Sequence, residues 1–288
     1  MIEALKNRLI ELTLPKPVRD RVDQAPLRLN SAGFDPWGLD PKTVKIATGL
    51  LRWFYSHYFR VETTGIERLP KGRVLLVANH SGQIPFDGLL LALALVLEAT
   101  PPRIVRAMAE RWVPTLPFIS TLFARCGTVV GDPQNCVELL NQDECVLVFP
   151  EGTRGSGKSI FKRYELQRFG TGFIRLALET NTPIVPVGII GCEETYPAFF
   201  HLRKIAKKFG APYFPFTPLF PFLGPLGALP MPTKVTLRFG EPLKFEGDPD
   251  ASDRDIQLKV DQVKSAIRSE LSVGLAMRGR QIFTQPGK

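Results

Sequence analysis

Short apolar runs rich in β-branched residues recur along the chain and limit the folds that it can adopt. Each run is three to seven residues long, and segments with helical spacing of apolar residues lie between several of them. A strand of a parallel sheet is buried on both faces, so such a run encodes it. The alternation predicts a single α/β domain whose mainly parallel or mixed sheet is flanked by helices. The runs comprise residues 73–78, 104–107, 128–130, 145–149, 184–190 and 235–239.

Residues 1–62 depart from this pattern and predict an N-terminal amphipathic helical segment ahead of an α/β domain at 63–288. Within the segment, residues 15–42 contain several prolines and are predicted to be an irregular linker. Residues 43–60, TVKIATGLLRWFYSHYFR, have the pattern of a basic, aromatic-rich amphipathic helix. Such a helix can lie in a membrane interface or pack its apolar side on a core, and the sequence leaves both alternatives open.

The charge balance favours an anionic partner. There are 37 Lys and Arg against 28 Asp and Glu, which gives a net charge of +9. This balance does not choose among nucleic acid, an anionic membrane surface and a phosphorylated substrate. We find no RNP-like motif for RNA binding. The N-terminus lacks a signal-peptide core and the four cysteines form no C-x-x-C pair, so we expect an intracellular protein.

One uncharged segment is long enough to span a bilayer. Residues 211–233, APYFPFTPLFPFLGPLGALPMPT, are 23 residues with seven prolines. Each proline removes a backbone donor and interrupts a helix, and lipid leaves unpaired backbone groups unsatisfied. We therefore expect no transmembrane span here. The segment is predicted to be either a buried crossover or an apolar surface that rests on a membrane or an acyl chain.

Residues 152–159 spell G-x-x-x-x-G-K-S, the pattern of a phosphate-binding P-loop. A P-loop needs a helix that begins at its Lys-Ser and a later strand that ends in a magnesium-binding Asp. Here Gly170 and Gly172 interrupt the following helix, and the later strands end in glycine. Nucleotide hydrolysis is therefore disfavoured.

Polar residues follow two of the predicted strands, and a third strand contains a proline. NHSGQIPFDG, residues 79–88, comes directly after the first strand and contains His80 and, seven residues on, Asp87. Parallel sheets place ligands at this end of their strands, and an Asp that fixes the tautomer of a His makes it a general base. The alternative is a core histidine beside an Asp that caps the next helix. FPEGTRG follows the strand at 145–149, and IVPVG lies within the strand at 184–190.

The order of these three blocks over residues 74–242 resembles the glycerolipid acyltransferase family, which includes lysophosphatidate and glycerol-3-phosphate acyltransferases. The resemblance implies transfer of an acyl group from a thioester, acyl-coenzyme A or acyl carrier protein, directly to a hydroxyl. His80 would deprotonate that hydroxyl, Asp87 would orient His80, and no metal or other cofactor is implied. It also implies two sets of substrate-binding residues: Glu151, Gly152, Thr153 and Arg154 for the acceptor, and Pro186 and Val187 for the acyl chain.

The sequence departs from the family pattern at two places. The His-Asp spacing is H-x-x-x-x-x-x-D, two residues longer than usual, and Gly131 and Asp132 stand where the family has an arginine for the acceptor phosphate. The acceptor is therefore left open among lysophospholipids, neutral glycerides and long-chain alcohols. A non-catalytic protein that binds lipid or acyl chains on the same fold is the alternative. The resemblance further implies a peripheral or monotopic protein on the cytoplasmic side of a membrane, with no nucleic-acid partner.

Overall fold

The computed structural model describes residues 2–81, 84–202, 204, 206 and 214–278. Within them, a seven-stranded sheet carries helices on both faces, and a two-stranded sheet lies apart from it. The strands are β1 (Glu62–Thr64), β2 (Val74–Ala78), β3 (Val105–Ala109), β4 (Val129–Val130), β5 (Cys145–Val148), β6 (Ile184–Ile190), β7 (Phe200–His201), β8 (Pro215–Phe216) and β9 (Thr236–Phe239). The α-helices are α1 (Ile2–Thr13), α2 (Lys16–Gln24), α3 (Pro41–Trp53), α4 (Phe86–Leu97), α5 (Ile119–Arg125), α6 (Pro133–Asn141), α7 (Thr153–Ser156), α8 (Gly172–Glu179) and α9 (Asp253–Arg278).

The large sheet has the order β1-β9-β6-β2-β5-β3-β4. Neighbouring strands are parallel except for β6 and β9, which are antiparallel. The prediction of a mainly parallel α/β sheet is confirmed, and each of the six predicted runs coincides with one of its strands to within two residues. Strand β1 is not predicted by the sequence, because its residues are polar and partly exposed.

Side chains alternate along the central strand β2, so they enter two separate apolar layers. Leu76 packs in one cluster with residues of α4 and with Tyr55 and Phe59. Leu75 and Val77 pack in the opposite cluster with residues of α6, α8 and α9. All five residues of β2 are buried, which explains why VLLVA shows no polar alternation.

The N-terminal helices contact this α/β core. The prediction of an irregular linker over residues 15–42 is wrong for α2. Pro15 and Pro17 stand at the start of that helix, where the N–H that proline lacks is not needed. Arg21 of α2 donates from Nε to the carbonyl of Val96 in α4 at 2.9 Å. Contacts of this kind join the N-terminal segment to the sheet and its helices.

The predicted amphipathic helix at 43–60 is a helical segment of two types. Helix α3 ends at Trp53, and a π-helix covers Phe54–Tyr58. Tyr55 and Phe59 are buried in the core, whereas Trp53 and Phe54 are exposed. The segment therefore packs on the core and also presents aromatic rings to solvent.

The proline-rich segment is exposed over much of its described length. Residues 211–213 lie outside the described residues, and the remainder contains β8 and a 3₁₀-helix at Gly224–Ala228. Tyr58 donates its hydroxyl to the carbonyl of Pro230 at 2.5 Å, which attaches the segment to the π-helix. The middle of the segment is an apolar surface rather than a buried crossover. Its exposed side chains are Phe222, Leu223, Leu226 and Leu229.

Among the helices of the described residues, none is long and apolar enough to span a bilayer.

Candidate active site

The central strand leads directly into His80. Asn79, the first residue after β2, donates from Nδ2 to the carbonyl of Ile189 at 3.0 Å and accepts from the N–H of Ile189 at 2.7 Å. Its amide thereby continues the pairing of β2 with β6 after the main chain turns away. His80 consequently lies at the carboxyl end of a central parallel strand, where α/β sheets place ligands.

His80 and Asp87 are in direct contact in spite of the six residues between them. The Nδ1 atom of His80 lies 2.7 Å from Oδ2 of Asp87, and the same oxygen accepts the backbone N–H of Ser81 at 2.8 Å. Asp87 is fully buried in the first turn of α4, whose N-cap is Pro85. The reading of Asp87 as a simple helix cap is therefore wrong. The two inserted positions of the longer spacing do not separate the pair.

The surroundings of His80 favour its protonated form. The side chain is 16% exposed, and its ring stacks on Phe149 with a centroid distance of 4.3 Å. Burial lowers the pKa of His80, but the charge and hydrogen bond of Asp87, with the charge of Glu151, raise it above its ordinary value overall. When the Nδ1 proton is directed at Asp87, Nε2 keeps a lone pair that can accept a proton.

Glu151, in the turn after β5, is buried against two backbone amides. Its Oε1 accepts the N–H of His80 at 3.0 Å, and its Oε2 accepts the N–H of Gln167 at 2.7 Å. The sequence predicts acceptor binding for this residue. In the structure both carboxylate oxygens contact the main chain, and they join the loop of His80 to the segment before α8.

Lys158, the lysine of the P-loop-like string, is buried between carboxylates. Its Nζ donates to Oε1 of Glu193 at 2.9 Å and lies 3.8 Å from Oε2 of Glu151. Burial raises the pKa of Glu193 to about 7, although the charge and hydrogen bond of Lys158 oppose the rise. A P-loop lysine must reach a nucleotide phosphate, whereas this ammonium faces two acidic side chains.

The two glycines of FPEGTRG stand where there is no room for a side chain. A Cβ added to Gly155 would lie 2.7 Å from Cβ of Glu151 and 2.8 Å from Cβ of His80. Gly152 has a φ of +54°, and a Cβ there would meet Oε1 of Glu110 at 2.9 Å. Gly155 therefore allows the turn to pack closely beside His80, and Gly152 supplies a positive φ next to Glu110.

The remaining predicted site residues lie in two elements. Thr153 and Arg154 begin the short helix α7, and Arg154 is exposed. Pro186 and Val187 are buried in the middle of β6, where Val187 pairs with Ala78 just before the His80 loop. The structure thus brings the FPEGTRG turn and β6 to the same end of β2.

The position where the family resemblance implies a phosphate-binding arginine is occupied differently. Asp132 caps α6 by accepting the N–H of Gln134 at 3.0 Å, and its other oxygen lies 3.4 Å from Nη2 of Arg111. Both members of this ion pair are exposed. The arginine at this corner of the fold therefore forms a surface ion pair with a neighbouring carboxylate.

Sequence reasoning missed Phe149, Gly155 and Lys158 as neighbours of His80. Phe149 and Gly155 lie inside the FPEGTRG motif, so their motif membership was the available signal. Lys158 carried no such signal, because its partner Glu193 lies 35 residues away.

The fold is mainly parallel α/β, and a His-Asp pair in direct contact lies at the carboxyl end of its central strand, an arrangement that can perform general-base chemistry. A sequence model of the acyltransferase family matches residues 60–190. The chain is 43% identical to "Uncharacterized protein Rv0502" of Mycobacterium tuberculosis over 255 residues, which cover 86% of this chain and 71% of that protein.

More distant relatives have named activities. The human "1-acyl-sn-glycerol-3-phosphate acyltransferase alpha" is 28% identical over 161 residues, about half of each chain, 51% in both cases. The crystal structure of the 1-acyl-sn-glycerophosphate (LPA) acyltransferase PlsC from Thermotoga maritima shares the fold, with a TM-score of 0.52, 18% identity and coverage of 85% of this chain and 83% of that one. The chain belongs to the acyltransferase family.

Proposed function

We propose that this acyltransferase moves a fatty acyl group from an acyl thioester to a hydroxyl of a lysophospholipid or related glycerolipid. The observation that carries the proposal is the 2.7 Å contact of His80 with Asp87, which directs Nδ1 at the carboxylate and leaves Nε2 for a substrate proton. The named activity of the human relative, on a 1-acyl-glycerol phosphate, supports a glycerolipid acceptor.

The reaction follows from these contacts. Nε2 of His80 takes the proton of the acceptor hydroxyl while its oxygen attacks the thioester carbonyl. Collapse of the tetrahedral intermediate breaks the carbon–sulfur bond, forms the ester and releases a thiolate, which recovers the proton from His80. Asp87 stabilises the imidazolium between these steps, in keeping with the raised pKa of His80. No acyl-enzyme is formed.

Three cations named above differ in their surroundings. Arg154 is exposed at the start of α7, and its guanidinium fork suits a phosphate. Arg111 is paired with Asp132, and Lys158 is paired with Glu193. We therefore include neutral glycerides beside lysophosphatidate among the acceptors to be tested.

We also propose that the protein docks on a membrane through an apolar surface, which we call the docking surface. It is formed by Trp53, Phe54, Phe222, Leu223, Leu226 and Leu229. These side chains are exposed, and the Tyr58–Pro230 hydrogen bond joins their two parts. Amphiphilic substrates reside in bilayers, so an exposed apolar surface on the enzyme would bring it to them. Co-sedimentation with anionic phospholipid vesicles tests this: Phe222→Ser with Leu226→Ser should reduce binding, whereas unchanged binding would contradict the docking surface.

The activity is tested by thiol release from palmitoyl-coenzyme A with a panel of acceptors: glycerol 3-phosphate, lysophosphatidate, other lysophospholipids and neutral glycerides. Release should depend on one acceptor class and should disappear in His80→Ala with the fold retained. Full turnover by His80→Ala would contradict the mechanism. Acyl carrier protein thioesters replace coenzyme A in a second series.

The alternative is a non-catalytic protein that binds lipid or acyl chains on the same fold. The longer His-Asp spacing is the sequence feature that suggests it, although the 2.7 Å contact of His80 with Asp87 shows that the spacing does not separate the pair. Equal lipid binding by wild type and His80→Ala, with no consumption of either thioester, would support this alternative.

A further inference from the structure

Near the backbone of His80, three charged side chains are buried together. Lys158 lies between Glu151 and Glu193, with its Nζ 3.8 Å from the first carboxylate and 2.9 Å from the second. The side chains of all three are 5% exposed or less. Lys158 also donates to the carbonyl of Glu165 at 3.3 Å, and Tyr164 donates its N–H to Oε2 of Glu193 at 2.9 Å.

The two acidic residues differ in what they hold. Glu193 binds the segment that contains Lys158 and Tyr164. Glu151 accepts one backbone N–H on each oxygen, and one of the two belongs to His80. A carboxylate in this position needs a nearby cation, because burial of an unpaired charge is strongly unfavourable. The ammonium of Lys158 is the cation within 4 Å of Glu151 among the described residues.

We propose that Lys158 is a positioning residue for catalysis, acting on His80 through Glu151. The inference rests on the proposed function for its kinetic part only. With Lys158 present, both oxygens of Glu151 remain acceptors and fix the backbone from which the His80 ring projects. Without that cation the buried carboxylate has no opposite charge beside it, and relief of this unfavourable state moves Glu151 away from the two N–H groups. The His80 loop then loses one of its attachments.

The charge of Lys158 also acts on the ring directly. It opposes the charges of Asp87 and Glu151, so it holds the pKa of His80 below the value that those carboxylates alone would give. Three charged groups act on His80 itself: Asp87 of α4, Glu151 after β5 and Lys158 after α7. Two more lie beside these neighbours. Glu193, after β6, pairs with Lys158, and Glu110, after β3, lies against Gly152.

The test is Lys158→Met, which removes the charge and keeps the length of the side chain. We expect kcat to fall about tenfold or more with KM within about twofold, because a misplaced base slows chemistry without removing substrate contacts. We also expect the titration midpoint of His80 to move to higher pH, and to lower pH in Glu151→Gln. Both midpoints are read from imidazole NMR signals. The chain has three histidines, and the signal of His80 is the one that disappears in His80→Gln.

Lys162→Met is the matched control, since it removes the same charge from an exposed position of the same segment. It should leave kcat and the His80 midpoint unchanged. If Lys158→Met does not fold, Lys158→Met with Glu193→Gln removes both members of the ion pair and should show the same upward shift.

Two results would overturn the inference. One is an unmoved His80 midpoint in a folded Lys158 variant, and the other is a wild-type kcat in that variant. The NMR titration needs no turnover, so it remains decisive even if thiol release fails and the proposed function with it.

Discussion

Two carboxylates contact His80, and they contact different parts of it. Asp87 contacts the ring at Nδ1, whereas Glu151 contacts the backbone N–H. The first contact controls which ring nitrogen carries a proton and how basic the ring is. The second controls where the ring stands relative to the sheet. The comparison teaches that one type of side chain can serve protonation in one place and position in another, depending on the atom it meets.

The largest effect is expected when the ring contact is broken. Asp87→Asn keeps the shape but replaces an anion with a neutral amide, which no longer stabilises the imidazolium. Turnover in the thiol-release assay should fall by about a thousandfold or more, by analogy with the loss of the buried aspartate in Ser-His-Asp enzymes. Circular dichroism should show a retained fold. A loss of less than about tenfold would mean that Asp87 does not act on the ring during the reaction.

A smaller effect is expected when the backbone side is crowded. In Gly155→Ala the new methyl would lie 2.8 Å from Cβ of His80 and 2.7 Å from Cβ of Glu151, so the loop must shift. We expect kcat to fall roughly 10- to 100-fold and the free energy of unfolding to fall by about 1–3 kcal/mol. Gly172→Ala is the control, because a Cβ there meets no atom within 4 Å. Equal kcat values for the two variants would show that the close approach is unimportant.

The smallest effect concerns stability as a function of pH. The pKa of Glu193 is raised to about 7 from 4.5, so the folded state holds this proton more tightly than the unfolded state does. The contribution to stability is complete below pH 4.5 and is lost as pH rises towards 7. The raised pKa of His80 acts in the same direction, with loss as pH rises through its folded value.

The free energy of unfolding, measured by urea titration, should therefore decline by roughly 1–3 kcal/mol because of these groups as pH rises from 4.5 to about 7. Glu193→Gln should flatten the decline, and Glu165→Gln, at an exposed neighbouring position, should not. A decline of unchanged slope in Glu193→Gln would assign the pH dependence to other groups.

Local patterns were sufficient for much of the fold. The six predicted strands follow from short apolar runs, because a strand buried on both faces requires them. Helix α2 is not predicted by the sequence, because prolines suggest irregular structure but here stand at a helix start. The exposed apolar surface of residues 214–233 was one of two alternatives, since composition alone does not distinguish a buried segment from an exposed one.

The sequence by itself determined the mainly parallel sheet, the position of His80 at a strand end and Asp87 as its nearby acidic neighbour, since all three depend on residues close together in the chain. Tertiary structure decided what Glu151 and Lys158 do. Their contacts join positions 35 to 71 residues apart, His80 with Glu151 and Lys158 with Glu193. Such pairs form only because β2, β5 and β6 lie side by side and end together, which brings three separate loops to one edge of the sheet.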